Sequence, residues 1–239
     1  MITIQNIKVN VTRAGNNESA VVLLHGWGQN QYMMKFLQDH LCDTFTVINL
    51  DLPGFGESEE PPRVWSVDDY VDFLQELLDH LAHMQITRVS FIAHSFGARI
   101  ALRYAYRFPV EKMVLTGAAG IQAKRGLGYH IRVKTYKLLK KLHAAPAMGS
   151  SDYQNASAIM KGVLVASVED DLRGILQDIS TETLLVWGEK DTATPLWMGR
   201  VMEEELPNAA LVVLPKEDHF AYFHLSIQFC RIVDAFLRP

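Results

Sequence analysis

Hydrophobic positions along this chain follow two periods in alternation. Met1 to Thr12 sets Ile2, Ile4, Ile7, Val9 and Val11 among polar neighbours, the period-two pattern of a strand or hairpin with one buried face. Gly15-Asn16-Asn17 breaks it. Ala20 to Leu24 is then continuously apolar, as expected of a central parallel strand covered on both sides. Met33 to Leu41 has a short helical pattern, and Phe45 to Leu50 reads as the next strand. Val67, Tyr70, Val71, Leu74, Leu77, Leu78 and Leu81 recur at helical spacing, which predicts an amphipathic helix over 67–81. The strand Val89 to Ala93, a helix around Ala98 to Tyr104 and the strand Lys112 to Leu115 follow.

The rhythm changes at Ile121. Ala123 to His143 carries Lys124, Arg125, Arg132, Lys134, Lys137, Lys140 and Lys141 and no acidic residue. Ala156 to Val168 and Asp170 to Leu176 read as two further helices. Strand pattern returns at Thr183 to Trp187 and Ala210 to Leu214, with a helix at Met198 to Leu206 between them, a loop at Pro215 to Phe220 and a final helix at Leu225 to Leu237. Strands alternating with helices imply an α/β fold on a mostly parallel sheet. The expected organisation is a core of residues 1–120 and 179–239, with residues 121–178 inserted between two strands.

Length and charge narrow the options. A chain of 239 residues fits one large domain or a domain with a modest insertion. The net charge of -4 argues against a nucleic-acid partner, since phosphate binding wants a basic surface. No apolar run approaches the roughly 18 residues of a membrane span, so no integral membrane association is expected. The two cysteines, Cys42 and Cys230, lack metal-like spacing, and the N-terminus lacks a long apolar leader, so free thiols in the cytoplasm are expected. The basic run reads as a solvated face, or as a surface attracting an anionic substrate or lipid. A homodimer is left open.

The candidate chemistry gathers where strands end. Ala93-His94-Ser95-Phe96-Gly97 is a strand-to-helix turn with a serine at its tip. Serine is a weak nucleophile without a base, and the base needs an orienting acid. His219, after the last strand, can take the proton. Asp191, after Thr183 to Trp187, can hold the imidazole, in competition with Glu189 and Asp218. His25-Gly26-Trp27-Gly28 can offer backbone N–H groups, with His25 bracing its loop. His94 neighbours the serine, but adjacent side chains in such a turn diverge, which argues against it as the base.

These residues resemble those of the α/β-hydrolase superfamily over nearly the whole chain, and most of all its small bacterial serine hydrolases with a helical cap, a group that includes carboxylesterases and C–C bond hydrolases. Ala93 stands where the family's G-x-S-x-G elbow has its first glycine. The resemblance implies Ser95, Asp191 and His219 as the catalytic triad, and the N–H groups of Trp27 and Phe96 as an oxyanion hole. It implies a small helical cap inserted after the sixth strand, and Asp51 to Ser58 as a loop shaping the site's floor. Gly26, Gly28, Met148, Met160, Leu164 and Phe220 are expected around the substrate, although Met148, Met160, Leu164 and Val165 could equally pack a cap onto the body. No metal and no cofactor is called for.

The expected activity is hydrolysis of a carboxylic ester of a small or medium apolar acyl group, through an acyl-enzyme on Ser95. The alternatives are a C–C hydrolase of a vinylogous diketone acid, with Arg99 or a cap basic residue meeting the substrate carboxylate, and a ligand receptor without catalysis.

Overall fold

The structure is a computed structural model and describes residues 1–81, 86–122 and 156–238. The N-terminal alternation resolves into three strands. β1 (Ile2–Ile4) and β2 (Ile7–Val9) form an antiparallel hairpin. Gln5 and Asn6 between them both have positive φ, 51° and 62°, the handedness that a two-residue hairpin turn requires. Asn10 ends the hairpin: its N–H donates to Ser58 Oγ at 2.9 Å, and its carbonyl accepts from the Asp51 N–H at 2.9 Å. β3 (Val11–Ala14) then joins a different sheet.

That main sheet also contains β4 (Ser19–Leu24), β5 (Thr46–Leu50), β6 (Arg88–His94), β7 (Lys112–Thr116), β8 (Glu182–Gly188) and β9 (Ala209–Leu214). The order is β3-β5-β4-β6-β7-β8-β9, with β3 antiparallel to β5 and every other pair parallel. β7, the strand before residues 121–178, is seventh in chain order because the first fourteen residues hold three strands.

Side chains alternate between the faces of each strand, and both faces of the central strands are buried. Val22, Leu24, Ile48, Phe91, Met113, Leu185 and Trp187 meet one layer, formed by α2 (Val67–Leu81), α3 (Phe96–Arg107) and α5 (Leu196–Glu205). Val21, Leu23, Val47, Ile92, Val114 and Val186 meet the other, formed by α1 (Lys35–Leu41), the short α6 (Ala221–His224) and α7 (Ser226–Leu237). Burial on both sides explains why the central strands read as unbroken apolar runs.

Between β7 and β8, α4 (Ala158–Glu169) starts at Ser157, whose hydroxyl accepts from the Met160 N–H at 3.1 Å. The second helix expected there is a 3-10 segment, Leu172–Asp178, opened by the Asp171 carboxylate accepting from the Arg173 N–H at 3.2 Å. α4 is tied to α3 at its C-terminal end. There the Arg99 guanidinium donates to the Asp170 carbonyl, and Arg103 Nη2 lies 2.7 Å from Asp170 Oδ1. The Leu172 N–H donates to the Gly120 carbonyl at 2.8 Å. The basic run Ala123 to His143 and Met148 lie outside the described residues. Among those described, no helix is long and apolar enough to cross a membrane.

The connection out of β4 leads to β5 on one side, and the connection out of β6 leads to β7 on the other. Such a reversal opens a crevice at the carboxyl ends of the two strands, where ligands of open α/β sheets gather. The loops that begin at His25 and Ser95 leave β4 and β6 at this crevice.

Candidate active site

Ser95 joins β6 directly to α3 with φ 51° and ψ −108°, a conformation an L-residue holds only under constraint. Its N–H donates to the Thr116 carbonyl at 3.1 Å, and its carbonyl accepts from Ala119 N–H at 3.1 Å. The start of α3 is pressed onto the end of β4. A Cβ at Gly97 would sit 2.4 Å from the Leu24 carbonyl oxygen, so only a residue without a side chain fits.

Asp191 lies in the loop after β8, its side chain wholly buried. Its Oδ1 accepts from the N–H groups of Ala193 (2.9 Å) and Thr194 (2.8 Å). Its Oδ2 lies 2.7 Å from His219 Nδ1 and 2.9 Å from Thr194 Oγ1. A carboxylate only accepts, so Nδ1 carries the imidazole proton and leaves Nε2 with a free lone pair. Burial pushes the Asp191 carboxyl up, but the hydrogen bond and charge of His219 and the two donors of Thr194 outweigh it and hold the group below the usual carboxylate range. The two loops are clamped together by the Lys190 N–H on the Glu217 carbonyl, 2.7 Å. The competing acids are engaged elsewhere: Glu189 Oε2 accepts from the Lys216 N–H at 2.9 Å, and Asp218 Oδ1 from the Phe220 N–H at 2.9 Å.

The serine turn and this pair meet around Gly117, directly after the Thr116 that binds Ser95. Gly117 has φ 50°, and a Cβ there would stand 3.0 Å from His219 Nδ1 and 3.2 Å from Asp191 Oδ2. On the other side of the crevice, the rings of Trp27 and Phe96 meet edge to face at 5.3 Å. Phe96 is the first residue of α3, where helix N–H groups lack internal partners. Among the described residues, neither the Trp27 nor the Phe96 N–H meets an acceptor. His25 braces this loop: its Nδ1–H donates to the Gly26 carbonyl at 2.7 Å and its Nε2 accepts from the Leu52 N–H at 3.0 Å. Burial lowers its pKa to about 4, so the brace is neutral.

A sequence model of the Alpha/beta hydrolase family matches residues 21–228. The chain belongs to that family. Among curated proteins it is 27% identical to a pimeloyl-[acyl-carrier protein] methyl ester esterase of Neisseria meningitidis, over 91% of this chain and 93% of the relative. It is 25% identical to the protein of that name from Nitrosomonas europaea, over 95% and 98%. Among solved structures it resembles an esterase from Exiguobacterium antarcticum (TM-score 0.78, 23% identity, 100% of both chains). It also resembles a meta-cleavage product hydrolase from Pseudomonas fluorescens (TM-score 0.77, 22% identity, 98% of this chain and 96% of the other). The structural likenesses show the fold. Family and relatives together support a hydrolase, and ester hydrolysis in general.

Beside the crevice of this α/β hydrolase, a cleft of about 360 Å³ is lined by Trp27, Gly28, Gly54, Phe55, Glu60, Ala156, Ser157 and Met160. Of the residues expected around a substrate, Gly28 and Met160 line it, while Gly26, Leu164 and Phe220 do not. Gly26 lies against His94, and the Phe220 ring lies 5.5 Å from the His219 ring. The Arg99 guanidinium donates to the Asp170 carbonyl, and Arg99 does not line this cleft. Gly54 and Phe55 belong to the loop Asp51 to Ser58 expected to shape the site's floor, whereas Thr194 and, in the cleft, Glu60, Ala156 and Ser157 were not anticipated. The signal for Thr194 is Asp191-x-x-Thr194, in which an aspartate side chain binds N–H groups two and three residues on. Glu60 and Ala156 carry no such local signal.

Proposed function

We propose that this α/β hydrolase is a serine esterase that cleaves carboxylic esters of small or medium apolar acyl groups. Nε2 of His219 takes the proton of the Ser95 hydroxyl as Oγ attacks the carbonyl carbon. The N–H groups of Trp27 and Phe96 hold the resulting oxyanion, each lowering the barrier by about 3 kcal/mol. His219, now an imidazolium steadied by Asp191, returns the proton to the leaving alcohol oxygen, and the acyl group remains on Ser95. Water then attacks the acyl-enzyme by the same route, and the acid leaves with Ser95 restored.

The observation that carries the proposal is the buried Asp191 carboxylate on His219 Nδ1, which selects the tautomer of the neutral ring whose lone pair is on Nε2, beside a constrained serine turn. Relatives named as methyl ester esterases support an acyl ester as substrate. The apolar side chains of Trp27, Phe55 and Met160 in the cleft support an apolar acyl group. We place the reaction in the cytoplasm on a small-molecule ester, a setting in which Cys42 and Cys230, both free thiols, stay reduced. Hydrolysis of p-nitrophenyl acetate and butyrate tests the proposal. The wild type turns both over, and Ser95→Ala abolishes turnover and labelling by a fluorophosphonate. Equal rates in the two proteins would refute it.

A further inference from the structure

His94 belongs to no step above, yet it lies against His219 and binds the same Thr116 carbonyl as Ser95. It ends β6, so its ring points to the sheet face opposite Ala93, beneath the loop that carries His219. The ring lies 4.5 Å from the His219 ring, 4.6 Å from Tyr222 and 5.6 Å from Phe220, centroid to centroid. Gly26, at the start of the Trp27 loop, presses on its edge: a Cβ there would be 2.8 Å from His94 Cδ2. Its Nδ1 lies 3.0 Å from the Thr116 carbonyl, the same oxygen that accepts the Ser95 N–H at 3.1 Å. A carbonyl only accepts, so Nδ1 carries the proton. Nε2 is left as a bare acceptor, fully buried and without a partner among the described residues.

An unpaired buried nitrogen is unfavourable, and an apolar ring of the same size would avoid it. Packing alone therefore does not account for a histidine here, whereas the Nδ1–H on Thr116 does. Through that bond the ring fastens the serine turn to the end of β7, and through its flank it backs the imidazole of His219. Resting on the esterase reading, we infer that His94 is a positioning residue, which holds the Ser95 turn and the His219 ring in register with each other. Burial holds its pKa down at about 3, so the imidazolium formed on His219 during turnover never faces a second positive ring.

Three variants separate its two contacts. His94→Phe keeps a ring against His219 and loses the bond to Thr116, His94→Asn keeps an N–H for Thr116 and loses the ring, and His94→Ala loses both. With p-nitrophenyl acetate, His94→Ala lowers kcat at least thirtyfold with KM within twofold of wild type. Phe and Asn each recover part of that loss, ending three- to tenfold below wild type. Wild-type kcat in His94→Ala, a change confined to KM, or no recovery by either partial variant would overturn the inference. If His94→Ala does not fold, judged by its thermal melt, the other two decide: three- to tenfold losses of kcat support the role, and wild-type kcat in both removes it. Ser95→Ala run alongside keeps the two proposals apart. If it stays active, the esterase reading has failed. If it is dead while the His94 variants are unimpaired, only the positioning role has failed.

Discussion

Asp191 shows how one side chain is fixed by its partners. Oδ1 is held by two backbone N–H groups and Oδ2 by a hydroxyl and an imidazole. Asp191→Asn keeps the backbone bonds on Oδ1 but turns an amide donor toward His219. The ring must then accept at Nδ1 and carry its proton at Nε2, where it can no longer take one from Ser95. The expected loss of kcat is ~10³- to 10⁴-fold with an unchanged thermal melt. A loss below tenfold would show that the Asp191–His219 pair does not govern the reaction. The positions of Ser95, Asp191 and His219 were legible because each follows an apolar strand run. The roles of Thr194 and His94 were not: the Asp191-x-x-Thr194 turn shows in the sequence, but what the two side chains reach across the fold does not. His94 meets Tyr222 and His219, and the Thr194 hydroxyl reaches the Gly117 carbonyl at 2.9 Å.

Among the elements, α2 was the most legible, its seven periodic apolar residues all facing the core over the predicted range. Short elements were harder to read. The N-terminal alternation gives no sign that Asn10 divides two sheets, because Ser58 and Asp51 make that division from the far end of another loop. The 3-10 segment Leu172–Asp178 has helical spacing too short to distinguish it from a helix. The join between α4 and α3 was also hidden, since the basic residue expected to meet a substrate instead holds a helix end. Arg99, buried as a residue, stays charged although burial lowers its pKa to about 10. Arg99→Met leaves the Asp170 carbonyl without this donor and costs about 1–3 kcal/mol. It should lower the melting temperature and speed proteolytic cutting within 158–169. An unaltered cutting pattern would show that α4 is held elsewhere.

For the whole molecule, the alternation of strands and helices gave the layered α/β architecture, but not the strand order, which depends on the side of β4 to which each crossover turns. Stability against pH is also a property of the whole. His25 and His94 are both fully buried, and burial lowers their pKa values to about 4 and about 3 from an ordinary 6.5. Below pH 6.5 the unfolded chain takes up both protons while the folded chain refuses them, so stability falls as pH falls through this window. The expected loss between pH 6.5 and pH 5 is on the order of 3 kcal/mol by urea unfolding, and His94→Phe should remove about half of that slope. A flat profile would mean that one or both rings are charged in the folded state. Asp191 acts in the same direction at lower pH: its contribution is complete above the usual carboxylate range and is lost as pH falls through its depressed folded value.

The two strands that bracket residues 121–178 are immediate neighbours, paired from Lys112 with Glu182 to Thr116 with Val186. The chain therefore leaves the sheet and comes back through one doorway, with the ladder on either side already closed. A segment of foreign origin spliced between those posts would inherit a finished scaffold. On the proposed reading, changes in that segment would alter the wall that Ala156, Ser157 and Met160 give the cleft while leaving the ladder beneath intact.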